Sequence, residues 1–434
     1  MRPDFTSSQR VHLLIFLALS LLYVIFLFPN PEYNSYNKDD ASWFLTLGIN
    51  LATYGRYTTD TFPILNYGHH ATWPFVFPGL LAAVVSIFGI SWFVLKLLMV
   101  SLSFANLYLL QRLWTNCQAG FLAVLLTAIN PAYFLFSHVT MTEIPYMLAT
   151  TATLLAMERT QRTRDGFTAG LLAVLAFYTR GYAVTFLPSG ILFFLLRPSW
   201  PIRKRLITAV CFAIPLVTGI GAWVIYTNHV LAGGYLDWIT TKYGNAAGIV
   251  ASLQRPLQEH AREFFWYHMR FPVHFLLPVF SLPSLTNDAF AFLGLGLLML
   301  SFCGWLSSMR KRVGAIELWL PCALGLHLLT SPSPRYWLTY LPFLVYFSLL
   351  ASQSLAKRWP LLHLSYPMLA GCFAATAIVG LGHHLVMPDD LRFLNAYWRD
   401  YRDLAVWTRD NTPQDAVIVA HHAHNFYVAA ARRV

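Results

Sequence analysis

From Val11 to Met387 the chain alternates long apolar runs with short polar connections, and this alternation leaves few folds open. A run of roughly 20 apolar residues crosses the ~30 Å hydrocarbon core of a bilayer as a helix, because a backbone without water has to satisfy its own hydrogen bonds. The runs are Val11–Phe28, Phe121–Phe136, Ile144–Met157, Phe167–Tyr178, Tyr182–Leu196, Leu206–Tyr226, Asp288–Ser307, Ala315–Leu329, Trp337–Leu355 and Leu361–Met387, with Phe75–Trp114 reading as two segments broken at Gly89. Several fall short of that length, so they must tilt or be shielded by neighbours. Hydrophobic residues fill 57% of the 434 positions and charged residues only 11%, which excludes the balance of an ordinary soluble domain. The expected fold is an all-α polytopic membrane protein, a continuous bundle of about 11 transmembrane helices.

The formal net charge of +11 is unevenly placed. Basic residues gather in short connections: Arg159, Arg162 and Arg164; Arg197, Arg203, Lys204 and Arg205; Arg310, Lys311 and Arg312; Lys357 and Arg358. Cytoplasmic loops carry such clusters, so the charge orients the bundle and does not point to nucleic acid. Arg2 and Arg10 ahead of the first run place the amino terminus in the cytoplasm, and with no small-x-small cleavage site after it that run reads as an anchor. Outside then lie the loop 29–75, the turns at Glu143 and Arg180, the loop 227–287, the Ser331–Tyr336 turn and everything beyond Pro388. Parity allows Phe75–Trp114 only one net crossing if Glu143 is outside, so one half is expected along the interface. Cys117, Cys211, Cys303, Cys322 and Cys372 are scattered singly and read as packing residues.

Residues 1–387 thus form a transmembrane domain. Residues 388–434 read as the start of a small α/β extracytoplasmic unit, with a helix over Asp389–Asn411 and a strand at Ala416–Ala420 after an Asn-Thr-Pro turn. Roughly 45 residues are few for an independent core, which fits a truncated carboxyl end as well as a native one.

In the first outer loop, Asn34–Tyr57 reads NSYNKDDASWFLTLGINLATYGRY. Trp43, Leu47, Leu51 and Tyr54 recur at helical spacing beside Phe44, which predicts an amphipathic interfacial helix ended by Gly55. Asp39 and Asp40 open it. A carboxylate there serves as an N-cap, or as a chemical group facing the membrane surface. Glu143 opens a span and is either its N-terminal charge or a site acid; Arg180 and Arg335 are either interfacial anchors or anion ligands. His69 and His70 are adjacent, whereas helical metal ligands sit at i and i+4. Phe264, Phe265 and Trp266, between Arg262 and Arg270, suggest a second interfacial helix, as an acceptor cleft or simply an aromatic belt.

These residues carry a resemblance. Asp39-Asp40-x-x-Trp43 resembles the Asp-Glu-x-x-Tyr/Phe motif after the first span of integral membrane glycosyltransferases of the GT-C fold, among them the protein O-mannosyltransferases and the lipid A aminoarabinose transferases. Similar positions follow in order: Gly55–Tyr57, Pro74–Gly79, Phe88-Gly89, Thr142-Glu143, Thr179-Arg180, Pro334-Arg335-Tyr336 and Trp407–Ala416. The chain departs from the pattern at Asp40, at Trp43 and in lacking Lys-Pro-Pro before the second apolar segment, where His69, His70 and Trp73 stand.

The resemblance implies transfer of a sugar from a polyprenyl phosphate carrier to a glycan, lipid or protein acceptor on the outer face of a bacterial inner membrane. A hydroxyl nucleophile needs a carboxylate to take its proton, a role that falls to Asp39 with Asp40 as hydrogen-bonding partner or divalent-metal ligand. Arg180, Arg335 and Tyr336 would meet the charge on the departing phosphate, with Glu143, His69 and His70 as acceptor-binding or supporting groups. Two other functions stay open. A transporter or flippase would show paired repeats and ionisable residues near span centres, and a non-catalytic subunit of envelope polysaccharide assembly would tolerate loss of both aspartates.

Overall fold

The computed structural model describes residues 7–27, 38–59, 73–115, 117–230, 288–330, 334–359, 364–386 and 396–413, together with positions 416, 418, 427 and 430. All secondary structure among them is helical: α1 (Ser7–Ile25), α2 (Lys38–Tyr54), α3 (Val76–Phe88), α4 (Trp92–Leu113), α5 (Gln118–Ala128), α6 (Pro131–Phe136), α7 (Glu143–Arg159), α8 (Thr163–Thr179), α9 (Phe186–Leu195), α10 (Ile202–Val230), α11 (Asp288–Lys311), α12 (Ala315–Thr330), α13 (Leu341–Arg358), α14 (Ser365–Val386) and α15 (Ala396–Asn411), with 3-10 turns at Gly181–Thr185 and Pro334–Thr339. Four of these helices contain segments with the length and apolarity of a span: Trp92–Leu113, Ile202–His229, Phe292–Lys311 and Ser365–Gly382. The shorter helix α7 is shielded as expected, buried along most of its length. By contrast α10 shows Ile207, Val210, Ile214 and Val217 on one exposed stripe, a surface suited to lipid.

Local chemistry sets the helix ends. Gly55 and Gly89 adopt φ of 64 and 66, the left-handed region in which glycine stops a helix without strain. Past Gly89, the Ser91 hydroxyl accepts from Val94 N–H and starts α4. The 13 residues of α3 reach only about 20 Å, whereas the 22 of α4 reach about 33 Å, so of the two halves of Phe75–Trp114 it is α4 that has the length of a span. Phe121–Phe136, expected as one run, is divided: Pro131 lacks an N–H, and Asn130 Oδ1 accepts from Ala132 N at 3.0 Å, so α6 starts afresh there. The helix expected from Asp389 begins at Ala396 among the described residues. Positions 416 and 418 are neither helix nor strand; the rest of Ala416–Ala420, and Arg262–Arg270, lie outside the described residues.

The helices pack through small residues, which let backbones approach closely where lipid supplies no hydrophobic drive between helices. On α8, Gly166 and Gly170 face Thr208 and the Phe212 carbonyl of α10; on α11, Gly304 faces the Phe347 carbonyl of α13, and Ser301 Oγ lies 2.7 Å from Ser348 Oγ. Gly48 of α2 sits against Leu81 and Pro78 of α3. Instead of burying a single face, α2 is buried on nearly every side from Ala41 to Asn50; Leu47 is inside, Trp43 half-buried and Tyr54 exposed. The carboxyl-terminal segment touches this helix, where the Tyr427 hydroxyl donates to Asn50 Oδ1 at 3.1 Å.

Charge pins the two ends of the bundle. At one end Glu158 pairs with Arg312 and accepts from Ala315 N–H at 2.6 Å, while Arg197 Nη2 donates to the Glu158 carbonyl at 3.0 Å, tying the basic connections that follow α7, α9 and α11. The opposite end carries Glu143.

Candidate active site at the Glu143 end

Antiparallel neighbours joined by a short connection put the first residue of one helix beside the last of the other. Glu143 therefore begins α7 where α8 finishes, in a first turn whose dipole favours a carboxylate. Arg180 closes α8, its N–H donating to the Ala176 carbonyl at 2.8 Å, and Gly181 starts the 3-10 turn beyond it. Arg335 and Tyr336 arrive on the second 3-10 turn, which packs on α7.

Two guanidinium groups meet one carboxylate oxygen here. Arg180 Nη1 donates to Glu143 Oε1 at 3.0 Å, and Arg335 Nε lies 3.4 Å from the same oxygen. The Glu143 side chain is fully buried, with the two arginine side chains 12% and 18% exposed. Arg180 Cζ stands 3.9 Å from the Tyr336 ring centroid and Arg335 Cζ 5.3 Å, within cation–π range. Burial pulls the Arg180 guanidinium down, but Glu143 and Tyr336 more than reverse this and raise its pKa. Burial pushes the Tyr336 hydroxyl up, and the two arginines outweigh it, holding the phenol below its ordinary value. Two guanidinium groups thus share one carboxylate oxygen in a place largely closed to water, where charge-assisted contacts are strong.

Of the residues singled out in the sequence, Glu143, Arg180, Arg335 and Tyr336 are brought together. Asp39 and Asp40 lie in the first turn of α2, with side chains outside the description. That turn belongs to the same neighbourhood, because Ala41 packs with Val139 and Met141 in the connection leading to Glu143. His69 and His70 lie outside the described residues. The described donors do not fit a divalent cation: Glu143 Oε1 is taken by two guanidinium groups, and no cluster of three His, Cys, Asp or Glu occurs among the described residues.

Other residues of this region escaped the sequence reading. His327 of α12 is fully buried among Tyr336, Trp337 and Tyr340, at ring separations of 5.8, 5.3 and 5.6 Å. Lys96, 1% exposed on α4, sits within electrostatic reach of His138, whose Nε2 lies 3.0 Å from the Tyr23 carbonyl. Burial, reinforced by Lys96, holds His138 down at about 4. An ionisable residue inside an apolar run is the signal that could have flagged Lys96 and His327. Tyr146 follows Glu143 at i+3 on the same helix face.

Residues 72–224 match the family model described as dolichyl-phosphate-mannose-protein mannosyltransferase. The matched segment carries Glu143 and Arg180 and leaves out α2 and the Arg335 turn. No curated protein matches the sequence. Among solved structures, ArnT from Cupriavidus metallidurans in the apo state aligns with a TM-score of 0.57 at 13% identity, over 99% of this chain and 86% of that one. The Archaeoglobus fulgidus oligosaccharyltransferase tethered with an acceptor peptide containing the NVT sequon aligns with a TM-score of 0.54 at 13% identity, over 97% of this chain. The present chain spans 63% of that protein's length. The same oligosaccharyltransferase in complex with Zn and sulfate gives 0.53 at 14% identity, over 96% and 61% of the two chains. The chain has the GT-C membrane fold of these proteins.

Proposed function

We propose that this GT-C-fold chain is a glycosyltransferase that moves a sugar from a polyprenyl phosphate carrier to a glycan, lipid or protein acceptor on the outer face of a bacterial inner membrane. Direct displacement with inversion is the chemistry. The acceptor oxygen bonds to the anomeric carbon as the bond from that carbon to the phosphate oxygen breaks, and Asp39 takes the acceptor's proton. Asp40 supports Asp39 as a neighbouring hydrogen-bond acceptor. Arg180 and Arg335, with the Tyr336 hydroxyl, meet the negative charge on the departing lipid phosphate, in surroundings where such contacts count for more than in water.

The observation that carries this reading is the guanidinium pair on Glu143 Oε1, at the end of the bundle where α2 begins. Glu143 then acts as counter-ion, holding both arginines in place between turnovers. The match of residues 72–224 to a mannosyltransferase model and the shared fold support it from a second direction.

Transfer from a radiolabelled polyprenyl phosphate sugar by purified protein tests the proposal, comparing wild type with Asp39→Asn and Asp40→Asn. Loss of a general base costs typically 10²- to 10⁴-fold, so Asp39→Asn should fall by about that factor and Asp40→Asn by less. Undiminished transfer in both variants removes the aspartates from the mechanism. No transfer by wild type with any donor favours a transporter or a non-catalytic assembly subunit.

A further inference from the structure

The basic connections at the end of the bundle opposite Glu143 divide into two sets. One set is spent inside the protein: Arg197 donates to the Thr160 and Glu158 carbonyls, Arg205 to the carbonyls of Leu195, Pro198 and Trp200, and Arg312 pairs with Glu158. The other set faces outward. Arg162, Arg164 and Arg203 are exposed, and Lys204 rests on the Trp200 ring with Nζ 4.1 Å from its centroid. The carboxylate beside them, Asp165, lies 4.0 Å from Arg164 Nε, but its Oδ2 is committed to the backbone, accepting from Gln161 N–H at 2.9 Å and Arg162 N–H at 2.7 Å. Glu158 is held by Arg312 and Glu317 by the Ser308 hydroxyl, and Asp4 lies outside the described residues. Four outward cations therefore stand against one outward carboxylate, a surplus of positive charge.

What lies beneath these cations decides their ligand. Helices α8 and α10 run parallel from this end, because Gly166 faces Thr208 and, one turn on, Gly170 faces Phe212. An approach that close puts the two axes about 8 Å apart and brings Arg164 and Arg203 within one helical turn of each other in height. Each crowns an apolar row on its own helix. Phe167, Leu171 and Leu175 follow Arg164 at helical spacing, and Leu206, Val210, Ile214 and Val217 follow Arg203, all of them exposed. Charge above an exposed apolar row, twice over on neighbouring helices, is the complement of a phospholipid, whose anionic headgroup sits above its acyl chains.

We infer that Arg164 and Arg203, with Lys204, bind the headgroup phosphate of an anionic phospholipid whose chains lie along the Phe167–Leu171 and Leu206–Val210 rows. The site is at the far end of the bundle from Glu143 and stands apart from the donor reading. A soluble phosphate would meet the cations and leave the apolar rows uncovered. A zwitterionic lipid would cover the rows and bring an ammonium toward the surplus positive charge. Only an anionic lipid answers both features, and the guanidinium fork matches its phosphate oxygens.

Native mass spectrometry of the full chain in detergent tests this, by titrating phosphatidylglycerol, phosphatidylcholine and water-soluble glycerol phosphate and reading the affinity for each. Wild type should hold phosphatidylglycerol more tightly than phosphatidylcholine and show no retained glycerol phosphate. Each basic residue near a membrane surface adds about fivefold to the attraction for anionic lipid, so Arg164→Gln and Arg203→Gln should each weaken phosphatidylglycerol by about that factor and the double variant by roughly 25-fold. Phosphatidylcholine should bind all of them as it binds wild type, which separates a lost headgroup contact from a damaged fold. The double variant Lys357→Gln/Arg358→Gln removes the same charge from the exposed end of α13 and should leave phosphatidylglycerol binding within about twofold of wild type. An equal loss in that control would reduce the effect to net charge and overturn the site. So would undiminished phosphatidylglycerol binding in Arg164→Gln/Arg203→Gln, and glycerol phosphate retained as tightly as the lipid would overturn the assignment to a phospholipid.

Discussion

At Glu143 one carboxylate oxygen serves two arginines, so each arginine covers for the loss of the other. Arg180→Gln or Arg335→Gln alone leaves the buried carboxylate with one guanidinium partner, and each should cost about 1–2 kcal/mol of stability. Arg180 should cost more, because it combines the 3.0 Å contact with the closer approach to Tyr336. The double variant strands a fully buried carboxylate, a loss of about 3–5 kcal/mol in all and more than the two single effects together. Denaturation of the detergent-solubilised variants checks this through the coupling in a double-mutant cycle, and strict additivity would sink the idea that Oε1 is shared. Every member of this cluster is legible in the sequence as a charged or phenolic group at a span end, and basic-loop parity puts all of them on one face. Their sharing of Glu143 is not legible, since the contact with Arg180 joins residues 37 apart and depends on how α7 and α8 pack. Lys96, His138 and His327 are harder still, because in a linear reading each disappears into or beside an apolar run.

Single residues also decide how elements fit together, most sharply where a glycine lets two helices touch. On α11 a Cβ at Gly304 would run into the Phe347 carbonyl of α13, a backbone atom that no rotamer change can move. At Gly296 of the same helix a Cβ meets open space. Gly304→Ala should therefore force α11 and α13 apart and destabilise by about 1–3 kcal/mol, whereas Gly296→Ala should be neutral or gain up to about 1 kcal/mol from helix propensity. Thermal unfolding of the two variants side by side measures the difference, and equal midpoints would mean the close approach does not exist. Sequence pattern finds such elements but not their contacts. The apolar runs locate α4, α10, α11 and α14 well because length and hydropathy are local properties. They miss the division of α5 from α6, which depends on Asn130 and Pro131 at mid-run, and they read one face of α2 as apolar although its residues are buried on nearly every side.

For the whole molecule the decisive question is how many times the chain crosses, and α3 is the segment on which it turns. The apolar runs and basic loops together demand an even number of crossings between the first outer loop and Glu143, which the sequence meets only if half of Phe75–Trp114 stays on one side. Three observations identify that half. At 13 residues α3 is too short to span, it packs on α2 through Gly48 and Leu81, and α4 starts at the Glu143 end, with Lys96 of its second turn beside His138. The Gly89 break then lies at the same end as Arg56 and Glu143, opposite the Arg159–Arg164 connection. Accessible cysteines report this directly. In a background with Cys117, Cys211, Cys303, Cys322 and Cys372 replaced by Ser, single cysteines at Arg56, Ile90 and Arg162, all exposed positions, are treated with a membrane-impermeant maleimide. Arg56→Cys and Ile90→Cys should label in intact cells, and Arg162→Cys only after permeabilisation. Labelling of Arg162→Cys in intact cells, with Ile90→Cys labelled only after permeabilisation, would mean that α3 crosses. The parity of every later helix would then change, and Glu143, Arg180 and Arg335 would no longer share a face with Asp39 and Asp40.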